Sequence, residues 1–183
     1  MAMQHWNIDS SHSGAQFAVW HMVISKVRGV FERWAGTIDF DPSKPEASKV
    51  SVRIEAASID THEPIRDQHL RSADFFDVER YPAITFESRR IENRSKDRYL
   101  VSGELTMHGV TRHVELDAEY LGGGKDPWGN ERIGFFAKTS LNRKDFGLNW
   151  NQVLETGGVV VSEQVEVALD VQAVKAQAIG QAA

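Results

Sequence analysis

The chain contains no cysteine, so disulfides, thiolate nucleophiles and cysteine-based zinc sites are all excluded. It has no Lys/Arg-rich block, and its formal net charge is −5, so it lacks the electrostatic footprint of a nucleic-acid binder. No apolar run approaches the roughly 20 residues of a membrane-spanning helix. The opening Met1-Ala2-Met3-Gln4-His5-Trp6-Asn7 has neither the basic start nor the apolar stretch of a secretory signal, which predicts a cytoplasmic protein. No H-E-x-x-H, no G-x-S-x-G elbow and no Gly-Lys-Ser/Thr phosphate loop occurs. What is present is ordinary for a soluble globular domain: 183 residues, 41% hydrophobic and 26% charged.

Period-2 alternation dominates, and that is the signature of strands. It is clearest from Tyr99 to Tyr120. With a two-residue turn at His108-Gly109, Tyr99, Val101, Gly103, Leu105 and Met107 share a face with Val110, Val114, Leu116, Ala118 and Tyr120. Ser102, Glu104, Thr106, Thr111, His113, Glu115, Asp117 and Glu119 take the other face. A slip of one residue would invert this sorting, so the register is well specified. The same alternation marks Val30 to Phe40, Val50 to Ala56, Ile84 to Ser88, Ile133 to Leu141 and Val165 to Val171, with a further strand from Ala15 to Met22.

Turn chemistry separates these runs. Asp41-Pro42-Ser43-Lys44-Pro45 forms a hairpin loop, and Gly122 through Asn130 a longer one with a flexible glycine tip. One internal stretch, about Glu63 to Phe76, has helical spacing, with Pro64 suited to its first turn and Ser72 to capping a second short turn. About eight antiparallel strands and one short helix fit a sandwich or a closed up-and-down barrel. Trp34 and Phe135 share their faces with Gly36, Gly103 and Ala137, a mixture that either leaves a void or interlocks. One domain is expected over residues 1–174, followed by a flexible Ala/Gln-rich tail at 175–183.

Several segments then resemble one family. Trp6-Asn7-Ile8-Asp9 with His12-Ser13 matches the opening W-x-[IL]-D-x-x-H-S of YceI-like proteins. Gly29-Val30-Phe31 matches a G-x-F. Arg66 to Val78, which reads R-D-Q-H-L-R-S-A-D-F-F-D-V, matches the central signature, with Tyr81-Pro82-Ala83-Ile84-Thr85-Phe86 following it. Gly103 to Thr111 resembles the family hairpin, and Asn142 to Leu148 its late N-R-x-D-F-G loop. The resemblance covers about Trp6 to Val171. It implies an all-β, extended antiparallel barrel similar to lipocalins, holding a polyisoprenoid, a prenylated quinone or a fatty-acyl lipid without enzymatic chemistry. It also implies a homodimer, as in many members, and a periplasmic location if a leader precedes the chain.

The expected lining of such a barrel is Phe17, Val19, Trp34, Ile38, Ile54, Phe75, Phe76, Phe86, Leu105, Leu116, Phe135 and Val167, with Arg71 and Arg112 as polar contacts. The Arg66–Val78 segment reads either as a lid or portal, or as structure: an Arg66–Asp67 ion pair pinning the helix and two phenylalanines plugging the barrel. Arg112 and Glu32 break apolar faces, so each should be paired or reach water, and one of them is expected at the barrel mouth. The seven histidines show no metal-ligand spacing, and Asp67, His69 and Ser72 fan apart on one helix, so this reading needs no cofactor, metal or catalytic group. A structural or adaptor barrel with a filled core is the alternative, ahead of an enzyme acting on an isoprenoid lipid.

Overall fold

The computed structural model describes residues 3–177. Eleven strands form one sheet. They are β1 (Gln4–Ile8), β2 (Gly14–His21), β3 (Ser25–Phe31), β4 (Trp34–Phe40), β5 (Lys49–Glu55), β6 (Ile59–Asp60), β7 (Ala83–Ser95), β8 (Arg98–Met107), β9 (Val110–Lys125), β10 (Glu131–Asn142) and β11 (Gln164–Lys175). One helix, α1 (Pro64–Arg71), lies between β6 and β7.

The sheet closes because β11 pairs with both β10 and β1, while β1 pairs with β4. The first four strands are two long strands, each broken once. β1 and β2 both lie along β11, Ile8 opposite Ala173 and Ala15 opposite Leu169. β3 and β4 return beside them as a hairpin. With β5 and β6 likewise counted as one strand, paired with β4 and then with β3, the protein is a closed eight-stranded antiparallel barrel whose strands follow chain order. Closure pairs the long strands all round the barrel, and short edges remain only where β6 pairs with β3 alone and where the start of β9 outruns β10.

The two breaks change which residues face inward. Ser10–His12 form a 3-10 turn between β1 and β2. Ile8 faces the interior before it; Ala15, Phe17 and Val19 do so after it. Across Glu32-Arg33, the inward series Val27, Phe31 gives way to Trp34, Ile38, Phe40. The phase of the alternation therefore shifts at each interruption, and Val30 does not share the inner face with Trp34 as its parity suggests.

Asp9 builds the first break. Its carboxylate accepts from the Ser11 backbone N–H at 3.1 Å, the Ser11 hydroxyl at 2.5 Å and the Arg132 guanidinium at 2.7 Å, and it pairs with the His12 ring at 2.9 Å. Ser13 bonds Gln172 in both directions, completing the kink against β11. Arg132 also donates to Asp126 at 2.8 Å. These bonds, that from Ser11 foremost, hold the Asp9 carboxyl well below the usual carboxylate range, and Arg132 does the same for Asp126. A depressed folded-state pKa stabilises the fold above the unfolded value near 4 and loses that contribution as pH falls through the folded value. Urea midpoints measured from pH 7 down to pH 2 should therefore fall below about pH 4. Asp9→Asn should flatten that acid limb, and an unchanged limb would contradict the role given to Asp9.

The Tyr99–Tyr120 hairpin has the expected register: Met107 opposes Val110, Val101 opposes Leu116 and Tyr99 opposes Ala118. His108 and Gly109 have φ of 53° and 73°, the left-handed pair that such a two-residue turn requires. At Gly103 and Gly36 the mixture of small and large residues interlocks. A Cβ on Gly103 would lie 2.4 Å from the Glu87 carbonyl and 2.6 Å from the Phe86 ring, and one on Gly36 2.6 Å from the Ser51 carbonyl.

Three boundaries differ from the sequence expectation. α1 ends at Arg71, because Ser72 caps it by donating to the His69 carbonyl at 2.6 Å, and irregular turns follow. Gly123 and Gly124 are not a loop tip but pair with Ile133 and Arg132 inside the β9–β10 ladder; the turn is Asp126–Asn130, organised by the Asp126 carboxylate. β11 runs through Lys175, which pairs with Trp6 and donates to Glu131 at 2.6 Å, so the tail does not begin at residue 175. Residues 178–183 of the expected tail lie outside the described residues.

Candidate functional site

The barrel interior holds two chambers. One, of about 440 Å³, lies at the helix end, between β2, β3, β11, α1 and the loop that joins the 3-10 turn Arg143–Phe146 to β11. The other, of about 180 Å³, lies towards the far end among β4, β5, β7, β8, β9 and β10. Ala15, Ile54, Leu105, Leu141, Val167 and Leu169 line both, so the chambers abut at a waist formed by these six side chains.

The far chamber ends on aromatic rings. Phe40 stands 5.4 Å from Phe135, 5.5 Å from Tyr120 and 6.4 Å from Tyr99, centroid to centroid. Trp6, Ile38, Phe40, Ile133 and Ala173 form the buried cluster beneath it. Burial pushes the Tyr99 hydroxyl pKa up. This end is a plug of packed side chains.

The helix end is built differently. Phe75 packs 5.2 Å from both His69 and Trp150, and Phe76 meets Phe31 edge-on at 5.9 Å. Trp20 and Ile65 line the chamber yet are 44% and 77% exposed, so the chamber reaches solvent beside them. Met22, Val23 and Ile24 at the β2–β3 turn, and Val153 and Val159 in the loop, are also exposed at this end. The two segments are joined by the Met22 N–H on the Val160 carbonyl and by a bridge between His21 and Val161.

The Arg66–Val78 signature holds α1 over this end. Glu63 caps the helix by accepting from the N–H groups of Ile65 and Arg66. Arg66 and Asp67 do not pair with each other; both grip Thr61. Asp67 accepts from its N–H at 2.9 Å and its hydroxyl at 2.5 Å, and Arg66 donates to its hydroxyl at 2.6 Å and its carbonyl at 2.8 Å. His69 pairs with Asp74 at 2.8 Å.

The late Asn142–Leu148 motif anchors the loop. Arg143 is only 4% exposed and donates to the carbonyls of Ser162, Leu148, Trp150 and Val161, with burial pushing its pKa down. Phe146 is core, and Gly147 takes a φ of 75° to end the turn.

The twelve apolar side chains expected to line the barrel all lie on these walls. Phe17, Val19, Phe75 and Phe76 face the helix-end chamber. Trp34, Ile38, Phe86, Leu116 and Phe135 face the far one, and Ile54, Leu105 and Val167 stand at the waist. The two arginines are placed elsewhere. Arg71 donates to the carbonyls of Ala57 and Ile59, so it ties α1 to β6 and lines neither chamber. Arg112 is exposed, because β9 pairs with β10 only from Asp117 onward and its start projects past that partner. Glu32 is exposed at the β3–β4 break, so neither exceptional charge stands on the cavity wall. Sequence reading missed Phe31, because of the phase shift, and Leu148, Trp150, Val160 and Val161, which sit in a loop with no period. Among the described residues, no group of three or more His, Asp or Glu side chains is placed to hold a metal ion.

A closed antiparallel barrel with an apolar interior cavity defines a lipocalin-like protein. The chain belongs to the YceI-like family, whose domain matches residues 6–173. A UPF0312 protein of Azotobacter vinelandii is 41% identical over 140 residues, 76% of this chain and 73% of that protein. The crystal structure of BcnA from Burkholderia cenocepacia superposes with a TM-score of 0.80 at 22% identity, covering 90% of this chain and 98% of BcnA. A domain from Saccharophagus degradans, described as polyisoprenoid binding and implicated in plant cell wall breakdown, superposes with a TM-score of 0.68 at 17% identity, covering 96% of this chain and all of that domain.

Proposed function

We propose that the protein is a non-enzymatic carrier that holds one long apolar lipid inside the barrel: a polyisoprenoid, a prenylated quinone tail or a fatty-acyl chain. The observation that carries this reading is the pair of abutting apolar chambers, one closed by an aromatic plug and one reaching solvent. The larger lies within the roughly 300–1,000 Å³ common for ligand pockets. A chain threaded from the helix end through the waist would sit with its tail against Phe135 and Phe40. The binding free energy would come from apolar area removed from water, about 25 cal/mol per Å² before ordering costs. Such a wall distinguishes chain types weakly, because a methyl branch or double bond changes burial little. The polyisoprenoid-binding neighbour supports this class of cargo. An adaptor barrel needs a filled core, and the two chambers weigh against it.

Native mass spectrometry of protein purified from its own cells, followed by organic extraction, tests the proposal. The expected result is a mass increment of one lipid per chain, lost on extraction. A lipid-free mass that stays unchanged after incubation with octaprenol and with palmitate would overturn it.

A further inference from the structure

The helix-end chamber carries a few charged or titratable side chains on an otherwise apolar wall: His21, Glu63, Arg66, His69 and Arg143. Three of them are already engaged. Glu63 caps α1, His69 is paired with Asp74, and Arg143 is surrounded by four backbone carbonyls. Arg66 differs. Its Nε and Nη2 donate to Thr61, while Nη1 has no partner and the guanidinium forms no ion pair among the described residues. A guanidinium has five N–H donors, so part of its fork is left open. The open part is held in place, because Thr61 is itself fixed by the Asp67 carboxylate. Of the five, His21 is the one with no side-chain hydrogen bond among the described residues, and it offers a second donor.

We infer that the lipid held in this barrel has an anionic head group, a carboxylate or a phosphate, and that the open edge of Arg66 receives it at the helix end of the cavity. The inference rests on the lipid-binding reading above. A half-buried, unpaired guanidinium beside apolar walls gains from an anion what it cannot gain from a hydrocarbon, because a charge-assisted hydrogen bond is stronger where water is scarce. The fork also matches the planar oxygens of a carboxylate or two oxygens of a phosphate. The apolar tail then points inward through the waist, which fixes the direction in which the lipid lies.

The test compares acids with alcohols of the same chain. Delipidated protein is titrated with palmitate, 1-hexadecanol, geranylgeranyl phosphate and geranylgeraniol. Wild type should prefer acid over alcohol by about tenfold to a hundredfold, the range of one hydrogen bond to a charged group. Arg66→Gln should bring each acid down to the level of its alcohol, Arg66→Lys should retain part of the preference, and Gln68→Ala, on the exposed side of α1, should retain all of it. Thermal unfolding of each variant, with a cooperative transition, confirms that the barrel is intact. Tighter binding of palmitate would identify a fatty carboxylate as the source of the anion; tighter binding of geranylgeranyl phosphate would identify a prenyl phosphate. Equal binding of acid and alcohol by wild type, or an undiminished acid preference in Arg66→Gln, overturns the head-group inference alone. Failure of wild type to take up any of the four compounds overturns the lipid reading itself.

Discussion

Replacing Ala15 with tryptophan should convert the two chambers into one short pocket. Ala15 is 4% exposed and stands at the waist, where it lines both cavities together with Leu105 and Leu141. An indole there projects into space that is already open, so the cost in stability should stay within the roughly 1–3 kcal/mol typical of added core volume. Its effect on binding should be much larger and should depend on chain length. A chain short enough for the helix-end chamber loses little. A longer one loses the contacts its tail makes in the far chamber, at about 0.8 kcal/mol per methylene left in water. Four methylenes kept out amount to about 3 kcal/mol, a loss of more than a hundredfold. Titrating wild type and Ala15→Trp with decanoate, palmitate and eicosanoate checks this. Wild type should bind more tightly with each added length, whereas the variant should level off. Parallel length series in the two proteins would mean that the waist is not on the path of the chain.

Arg143→Met should have the largest effect on stability. The guanidinium donates at 2.6 and 2.8 Å to Leu148 and Trp150 and at 2.9 Å to Ser162. These partners are all backbone carbonyls in the loop before β11, which is tied down elsewhere by Asn151 on Val161 and by backbone bonds to Trp20 and Met22. Methionine fills much of the volume but satisfies none of the carbonyls. Stranding buried polar groups on this scale costs about 3–5 kcal/mol. At roughly 2–4 °C per kcal/mol for a chain of this size, the melting temperature should fall by about 6–20 °C. Because Leu148, Trp150, Val160 and Val161 form one wall of the helix-end chamber, lipid uptake should fall with it. A variant with wild-type melting and uptake would show that the loop holds itself.

These two residues illustrate what could and could not be read beforehand. The barrel strands were legible where one face is buried and one is wet, as from Tyr99 to Tyr120, because polarity then records the register. Ala15 was legible as part of a strand, but not as the waist; that depends on the 3-10 turn at Ser10–His12, which shifts the inward phase by an amount alternation does not encode. Phe31 was missed for the same reason at Glu32-Arg33. The role of Arg143 has no local signal, since all its partners lie five to nineteen positions further along the chain and are backbone atoms. Arg112 breaks the pattern of its strand, but exposure follows from where β9 outruns β10, a property of the ladder and not of the residue. Much of what the family motifs encode is structural. Asp9 makes a kink, Asp67 and Arg71 hold α1, and Phe146 fills the core.

The central claim is that a long chain occupies the interior and not the exposed apolar rim. Methyl-labelled Ile, Leu and Val side chains report on both. One equivalent of palmitate added to delipidated protein should shift the methyl resonances of Ile54, Leu105, Leu116, Val167 and Leu169, which line the two chambers. Shifts confined to Val23, Ile24 and Val153, which are exposed at the helix end and line neither chamber, would place the lipid on the surface and contradict the account.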